Sequence, residues 1–479
     1  MFFLPSFPGR FPVGVTTFIT PVRPSRAIGS VKLRIPPNSK QERHENALLL
    51  EEVAFTAYYP AEVDALSKKG VPWFIRPIRE SLHGFAAFLG VSKWLLWPVV
   101  YLFGALLKIP AYPNAPLRKP ESPLYQWPLV IFSHGLGGSR TAYSQFCSRL
   151  AASGKVVLAI EHRDGTGTVC MPHSWNQGRQ SEPRTLLYLR ESDIHWDDND
   201  AIDIHPLPLR GQQLAFRHHE VYITYSAFRR FVHADPAAHL ETIDGTSYNV
   251  ESWITPDASG TTRVRCDDRV TLAGHSFGGC TVLSLLSTKP LGGYSPIPID
   301  RVVILDPWLE PLPSPGPVPI GKVSISSKGT VVDGSFLSSP ETTAALSSQT
   351  DGIELDAKVS HPRMLIINSE TFTLWKDHYE RLKEIVAGWE PEGGKIMTIV
   401  GSVHVSFSDF PILPVVRKKT ARPIMETISK LALSFLDDTL EEVLKTVPTT
   451  GMEIKIIGVK KDGRPKRKLL GNVGDVISQ

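Results

Sequence analysis

The sequence is poor in cysteine: four occur among 479 residues, and their spacing matches neither a metal site nor a disulfide framework. It also lacks any Asn-x-Ser/Thr acceptor for N-glycosylation. Both absences argue against a secreted, disulfide-stabilised protein. We therefore expect free thiols and an intracellular, cytoplasmic location.

The sequence also has no large excess of one charge, since the net charge is only +4. A charge this small predicts no nucleic-acid partner. The first forty residues contain no acid, which makes a mitochondrial transit peptide the weaker alternative for location. Pro5, Pro8 and Pro12 interrupt the apolar start, so no secretory signal is predicted.

The chain has no uninterrupted apolar run suited to crossing a bilayer. Residues 84–107 come nearest, because about 20 apolar residues suffice for a span. Lys93 and Pro98 fall near the middle of this stretch, which favours two shorter helices. Indole rings beside a lysine suit a membrane–water interface, and the predicted docking residues are Trp94, Leu95, Leu96 and Trp97. A buried core segment and a transmembrane span are the alternatives.

A Gly-x-Ser-x-Gly motif, Gly274 to Gly278, stands between an apolar strand-like run and an apolar helix-like run. This context is typical of the nucleophile elbow of an α/β-hydrolase, a mostly parallel sheet flanked by helices. The motif predicts that Ser276 is the nucleophile. The alternative is an ordinary glycine-rich turn with an exposed serine.

A second glycine-rich loop follows the strand-like run that ends at Ser133. In this fold such a loop supplies one N–H of the oxyanion hole, and the residue after the nucleophile supplies the other. The candidates are the backbone N–H groups of Leu136 and Phe277. We expect His134 to orient this loop.

A general base and an acid should follow the serine in chain order. His404 lies just after the last predicted strand and is the expected base. Asp306 and Glu370 each follow a strand, and position alone favours Asp306 only slightly. Asp409 is expected to be a loop or cap residue.

The remaining segments carry weaker signals. Residues 165–265 are predicted to form an insertion or lid, and their histidines and carboxylates lack the spacing of a metal site. Residues 311–348 are expected to form a surface loop. One domain is predicted over 1–445, followed by a basic, flexible tail over 446–479.

Six ordered motifs together resemble the platelet-activating-factor acetylhydrolase family, the group VII phospholipases A2 of the plasma and intracellular type II lineage. They include Phe132–Ser144, Ile160–Asp164, Gly274–Gly279, Leu305–Trp308, Ile367–Glu370 and Gly401–Phe410. The chain is similar to a divergent, fungal-like member. The resemblance extends from about residue 11 to about residue 435.

The resemblance implies a calcium-independent serine esterase, without cofactor or metal, that removes short or oxidised sn-2 acyl groups from phospholipids. It favours Asp306 over Glu370 and places the family's membrane-docking helix on Trp94–Trp97. Pro307, the long 311–348 loop and the C-terminal extension depart from the family pattern and leave acyl-chain preference open. The alternatives are a carboxylesterase or lipase acting on neutral esters, and a non-catalytic membrane scaffold.

Overall fold

The computed structural model describes residues 2–35, 44–122, 125–176, 179–180, 182–196, 207–254, 261–313, 361–389, 394–414 and 416–478. Its centre is a large sheet with eight principal strands. They are β1 (Val13–Ala27), β2 (Leu49–Pro60), β3 (Trp127–Ser133), β4 (Val156–Glu161), β5 (Val270–His275), β6 (Ile299–Leu305), β7 (Arg363–Ser369) and β8 (Gly394–Ile399).

These strands lie in the order β1-β2-β4-β3-β5-β6-β7-β8. The first two form an antiparallel pair, and β3 to β8 are parallel to one another. Each parallel strand is a nearly continuous apolar run, as expected for a sheet covered on both faces. The predicted α/β-hydrolase fold is confirmed.

Seven longer helices accompany the sheet. They are α1 (Ile78–Leu89), α2 (Lys93–Leu102), α3 (Ser144–Ala152), α4 (Pro208–Val232), α5 (Phe277–Leu286), α6 (Lys376–Ala387) and α7 (Ala421–Leu436). Side chains of β3 alternate between two core clusters: Leu129 and Ile131 pack with α4, α5 and α6, whereas Val130 and Phe132 pack with α3 and α7. The sheet is thus the middle of three layers.

Shorter elements complete the described residues. The two-residue strands are Phe2–Phe3, Lys32–Leu33, Val71–Pro72, Tyr112–Pro113, Val169–Cys170, Trp175–Asn176, Arg179–Gln180, Leu186–Leu187, Ile194–His195, Glu241–Thr242 and Val264–Arg265, and Leu107–Ile109 has three residues. The short helices are Gly104–Leu106, Glu191–Asp193, Glu251–Ile254, Glu370–Thr373, His404–Phe407, Phe410–Ile412 and Leu440–Leu444.

The segment expected to be a lid, 165–265, contains a helix of the fold's core. Helix α4 connects β4 to β5, and its Tyr225 and Phe228 are buried against the sheet. Aromatic side chains on its inner face explain this position, because burying them contributes roughly 2–3 kcal/mol each. The expectation of a lid is therefore wrong for 208–232, and 197–206 and 255–260 lie outside the described residues.

The C-terminal segment 446–479 differs from the flexible tail that was expected. It forms a hairpin of β9 (Ile454–Val459) and β10 (Pro465–Leu469), and β11 (Val476–Ser478) then pairs antiparallel with β8. Leu469 and Ile477 are buried against Val400, which anchors the segment. The sheet therefore continues beyond residue 445.

The apolar stretch 84–107 is divided between two helices, α1 and α2. Gly90, in the left-handed conformation with φ of 66°, ends α1, and Ser92 precedes α2. Among the described helices, none combines the length and the hydropathy needed to cross a bilayer. The surface loop expected over 311–348 lies, from residue 314 onward, outside the described residues.

Candidate active site

Ser276 occupies the sharp turn between β5 and α5. Its backbone has φ of 57° and ψ of −118°, a region that non-glycine residues rarely adopt. The flanking Gly274 and Gly278 approach each other so closely that a Cβ on Gly274 would collide with the backbone of Gly278. This turn directs the hydroxyl of Ser276 toward His404.

His404 links Ser276 to a carboxylate. Its Nε2 lies 2.8 Å from Ser276 Oγ, and its Nδ1 lies 2.7 Å from Asp306 Oδ2. Because an ionised carboxylate can only accept, Nδ1 carries the proton and Nε2 is free to accept the proton of the serine hydroxyl. The three side chains form a relay suited to activating the serine.

Asp306 is completely buried at the end of β6. Both of its oxygens are held by Ser369: the backbone N–H donates to Oδ1 at 2.6 Å, and the hydroxyl donates to Oδ2 at 2.7 Å. Its backbone φ of 45° is also left-handed. Strain of this kind persists where the surrounding structure over-determines the conformation, and it concentrates at functional sites.

Glu370, the rival acid, has a different set of partners. Its Oε2 accepts the N–H of Gly401 at 2.6 Å, and its Oε1 accepts the N–H of Leu469 at 3.1 Å. It thus connects the loop before His404 to the C-terminal hairpin. The structure brings Asp306, and not Glu370, to the imidazole.

The loop that carries His404 is fixed on two sides. The ring of Phe372 stacks on the imidazole, with centroids 4.4 Å apart. Further along, buried Asp409 accepts from Trp73 Nε1, from the hydroxyl and N–H of Ser144, and from the N–H of Gln145, so it caps α3. Burial raises the pKa of Asp409 to about 6.

A second hydrogen-bonded chain lies behind His404. His275 Nε2 lies 3.0 Å from the carbonyl oxygen of His404, and His275 Nδ1 lies 2.8 Å from the hydroxyl of Tyr143. Since a carbonyl can only accept, Nε2 carries the proton and Tyr143 donates to Nδ1. Tyr143 in turn accepts the N–H of Gly135 at 3.2 Å. Burial lowers the pKa of His275 well below its usual value, and His404 beside it adds to the effect, so the ring is neutral.

The two candidate oxyanion donors lie on either side of Ser276. Within the described part of the chain, the N–H groups of Leu136 and Phe277 donate to no other group. Gly135 allows the loop to approach, because a Cβ there would lie 2.7 Å from Ser276 Cβ. Unpaired N–H groups near a nucleophile can stabilise a developing oxyanion.

Arg217 of α4 contacts both segments that carry the candidate donors. Its guanidinium, fully buried, donates to the carbonyl of His134 at 2.7 Å and to Asp164 at 2.8 Å, and it lies 4.5 Å from the ring centroid of Phe277. His134, expected to orient the loop, bonds the carbonyl of Gly135 at 2.8 Å. Burial lowers the pKa of His134 to about 3. The loop that carries the candidate donor Leu136 therefore rests on a core helix.

Donor atoms of His275, Asp306 and His404 lie within 4.8 Å of one another, a spacing that could hold a metal ion. The nitrogen atoms of both rings are, however, engaged with Ser276, Asp306, Tyr143 and a backbone carbonyl. The arrangement is that of a proton relay, and we assign no metal to it.

The predicted docking residues lie on α2. Trp94 and Leu95 are 72% and 71% exposed, Trp97 is 43% exposed, and Leu96 is half-buried. Neighbouring exposed apolar side chains extend the patch: Leu89, Val91, Val99, Leu102, Phe103, Leu106, Phe2 and Phe3. The ring of Phe88, near the end of α1, packs against Gly137, which brings these helices to the edge of the site.

Four supporting residues escaped the sequence reasoning: Tyr143, Arg217, His275 and Ser369. Three of them stood inside recognised motifs, and Ser369 directly precedes the rival acid. For these three residues, membership of a recognised motif was the available signal. Arg217 had none, because its segment was interpreted as a lid.

Comparison with known proteins gives a consistent result. The chain is 27% identical over 353 residues to platelet-activating factor acetylhydrolase of Bos taurus, which covers 74% of this chain and 62% of that protein. It is 27% identical over 297 residues to a putative phospholipase A2 of Schizosaccharomyces pombe, covering 60% of each. The chain thus spans less than two thirds of the length of these relatives.

A family profile extends this similarity over most of the chain. The profile described as platelet-activating factor acetylhydrolase, isoform II, matches residues 3–315 and 353–439. These ranges contain Ser276, Asp306, His404 and both loops of the site. The chain belongs to the platelet-activating factor acetylhydrolase isoform II family.

Proposed function

We propose that the protein is a calcium-independent serine hydrolase that cleaves the sn-2 ester of phospholipids bearing short or oxidised acyl chains. The observation that carries this proposal is the relay Ser276–His404–Asp306, with separations of 2.8 and 2.7 Å. Family membership supports the substrate class.

The proposed reaction has two acyl-transfer steps. His404 Nε2 takes the proton from Ser276 Oγ as that oxygen attacks the sn-2 carbonyl carbon. The N–H groups of Leu136 and Phe277 stabilise the oxyanion, and Asp306 stabilises the imidazolium. The bond to the lysophospholipid oxygen then breaks, and His404 protonates that oxygen.

Water completes the cycle. His404 removes a proton from water as it attacks the acyl-enzyme, and the second oxyanion collapses to expel Ser276 Oγ, which regains its proton. The products are a lysophospholipid and a carboxylic acid. The chemistry draws on the chain's own side chains and N–H groups.

Substrate access is part of the same proposal. The exposed patch around Trp94, Leu95, Leu96 and Trp97 would dock on a phospholipid surface, since indole rings and aliphatic side chains favour the membrane interface. Peripheral association in the cytoplasm agrees with the four buried, free cysteines.

The decisive experiment measures release of sn-2 acetate, and in parallel of long-chain fatty acid, from phospholipid vesicles in the presence of chelator. We expect acetate release by the wild-type chain and none by Ser276→Ala. A water-soluble short ester is the second substrate. Turnover of that ester without release from any phospholipid would indicate a carboxylesterase, and inactivity on both would indicate a scaffold.

A further inference from the structure

The hairpin β9–β10 is an exposed, strongly basic protrusion. Its cations are Lys455, Lys460, Lys461, Arg464, Lys466, Arg467 and Lys468, all exposed. Across the described residues, Arg464 is the member of this set that has an ion pair, with Asp462 at 3.8 Å. The other six cations have no anionic partner among the residues that the structure describes.

The pairing of the hairpin places like charges together. Lys455 stands directly opposite Lys468 in the antiparallel register. Like charges in this position destabilise a strand pair. An isolated two-stranded hairpin is itself marginal in water. An anionic surface that neutralised these cations would relieve the repulsion.

Apolar side chains are interleaved with the cations. Ile454, Ile456, Ile457 and Val459 are all exposed on β9, and Val459 is 71% exposed. A nucleic acid buries aliphatic side chains only where they reach base edges or insert between bases. A bilayer offers both phosphate groups and an apolar interior, so the combination favours a lipid surface.

The base of the hairpin is connected to the active-site loop. The N–H of Leu469 donates to Glu370, whose other oxygen accepts the N–H of Gly401, three residues before His404. Beyond the hairpin, Gly474 and Asp475 bond the backbone of Val400. The protrusion is therefore held beside the candidate site.

We propose that the β9–β10 hairpin is a second membrane-docking element, one that binds anionic phospholipid headgroups through its unpaired cations and inserts the side chains of β9 at the interface. This inference depends on the proposed function in one respect, namely that the substrate is a phospholipid in a membrane. It assigns a role to a segment beyond the residues matched by the family profile.

The test is vesicle binding in the Ser276→Ala background, so that hydrolysis cannot alter the lipid. Vesicles of phosphatidylcholine alone are compared with vesicles that also contain phosphatidylserine. The hairpin variant is Lys466→Gln, Arg467→Gln, Lys468→Gln. Its matched control is Arg417→Gln, Lys418→Gln, Lys419→Gln, an exposed run of the same composition outside the hairpin.

We expect the hairpin variant to lose on the order of a hundred-fold in affinity for phosphatidylserine vesicles, because each cation near an anionic surface contributes about 1 kcal/mol. The control should lose far less, and added salt should weaken wild-type binding. Equal losses in both variants, or binding indifferent to phosphatidylserine, would overturn the proposal. So would tighter binding to RNA than to the vesicles.

Folding is checked separately. A second variant, Lys460→Gln with Lys461→Gln, alters the turn and leaves both strands unchanged, and it should show a smaller loss in the same direction. Turnover of a water-soluble ester, measured without the Ser276 substitution, reports on the site itself. Loss of that turnover along with vesicle binding in both hairpin variants would show that the hairpin only supports the fold. If the wild type bound vesicles but hydrolysed no phospholipid, this inference would still hold, whereas the proposed function would be wrong.

Discussion

Two residues of the relay have backbone conformations that their side chains disfavour. Ser276 and Asp306 both have positive φ, at 57° and 45°. Such conformations cost of order 1–3 kcal/mol each. The packing of β5, β6 and β7 over-determines them, since Ser276 and Asp306 donate their N–H groups to Leu305 and Ile367. The strained backbone therefore lowers the stability of the fold while it orients both side chains toward His404.

The distinction between the two candidate acids gives a residue-scale prediction. Asp306→Asn should lower kcat by about 10⁴-fold, because an amide would no longer hold the tautomer in which His404 Nε2 accepts a proton. Glu370→Gln should retain most of the activity, since its partners are the N–H groups of Gly401 and Leu469. Ester hydrolysis by the two purified variants is the measurement. A larger loss in Glu370→Gln would contradict the assignment of Asp306.

Sequence reasoning could place the elbow because its signal is local: a glycine-flanked serine between a strand and a helix. Position in the sequence favoured Asp306 over Glu370 only slightly, because both follow strands. The difference lies in tertiary contacts, namely the two donors of Ser369 on Asp306 and the distant Leu469 on Glu370. No spacing in the chain encodes those contacts.

At the scale of elements, α4 joins the core to the loop that carries the candidate donor Leu136. Arg217→Met should destabilise the protein by about 3–5 kcal/mol, because it leaves Asp164 buried without its cation. Arg230→Gln, at an exposed position of the same helix, should cost less than about 1 kcal/mol. Urea unfolding of both variants is the measurement. Similar stability of the two would refute a structural role for the buried guanidinium.

Elements were predicted well where apolar residues form a continuous run and poorly where polar and apolar residues are mixed. The apolar runs of β3 to β8 identify strands, and their order gives the fold. The sequence from Gln212 to Val232 is helix-like, but the core position of helix α4 was missed because buried polar residues such as Gln213, Arg217 and Glu220 interrupt its apolar face. The C-terminal strands were missed because a run of lysines and arginines is also typical of a disordered tail.

Helix α2 offers a test of docking that is independent of the hairpin. Leu95→Ser should reduce hydrolysis of vesicle phospholipid by up to about thirty-fold when binding limits the rate, because an exposed leucine that enters a bilayer contributes about 2 kcal/mol. Turnover of a water-soluble ester should change little. Leu66→Ser is the matched control, since Leu66 is 85% exposed outside the patch. Equal effects of both substitutions on vesicle hydrolysis would count against α2 as a docking element.

At the scale of the whole molecule, the fold buries several neutral imidazoles. Burial lowers the pKa of His134 to about 3 and those of His218 and His378 to about 4, and it holds those of His162 and His275 well below the usual value. In the unfolded chain the same rings titrate near 6.5. Protonation therefore favours unfolding.

The sign of the resulting pH dependence follows from proton counting. Near pH 6 the unfolded chain binds protons on most of these five histidines, whereas the folded chain binds none there. Glu220 and Asp409 oppose this, because burial raises their pKa values and the folded state keeps protons that the unfolded state has released. The histidines outnumber these two acids, so unfolding takes up protons on balance, and the free energy of unfolding should fall as the pH decreases through 6.

Urea unfolding between pH 7.5 and about 5.5 measures this slope, in the range where unfolded histidines titrate. His218→Gln should reduce the slope of the free energy of unfolding against pH by the equivalent of somewhat less than one bound proton, because the variant removes one buried imidazole next to Ser284. His239→Gln, at an exposed position, should leave the slope as it is. Stability that stays level or rises as the pH falls would mean that the buried carboxyl groups, and not the histidines, control the response of this fold to acid.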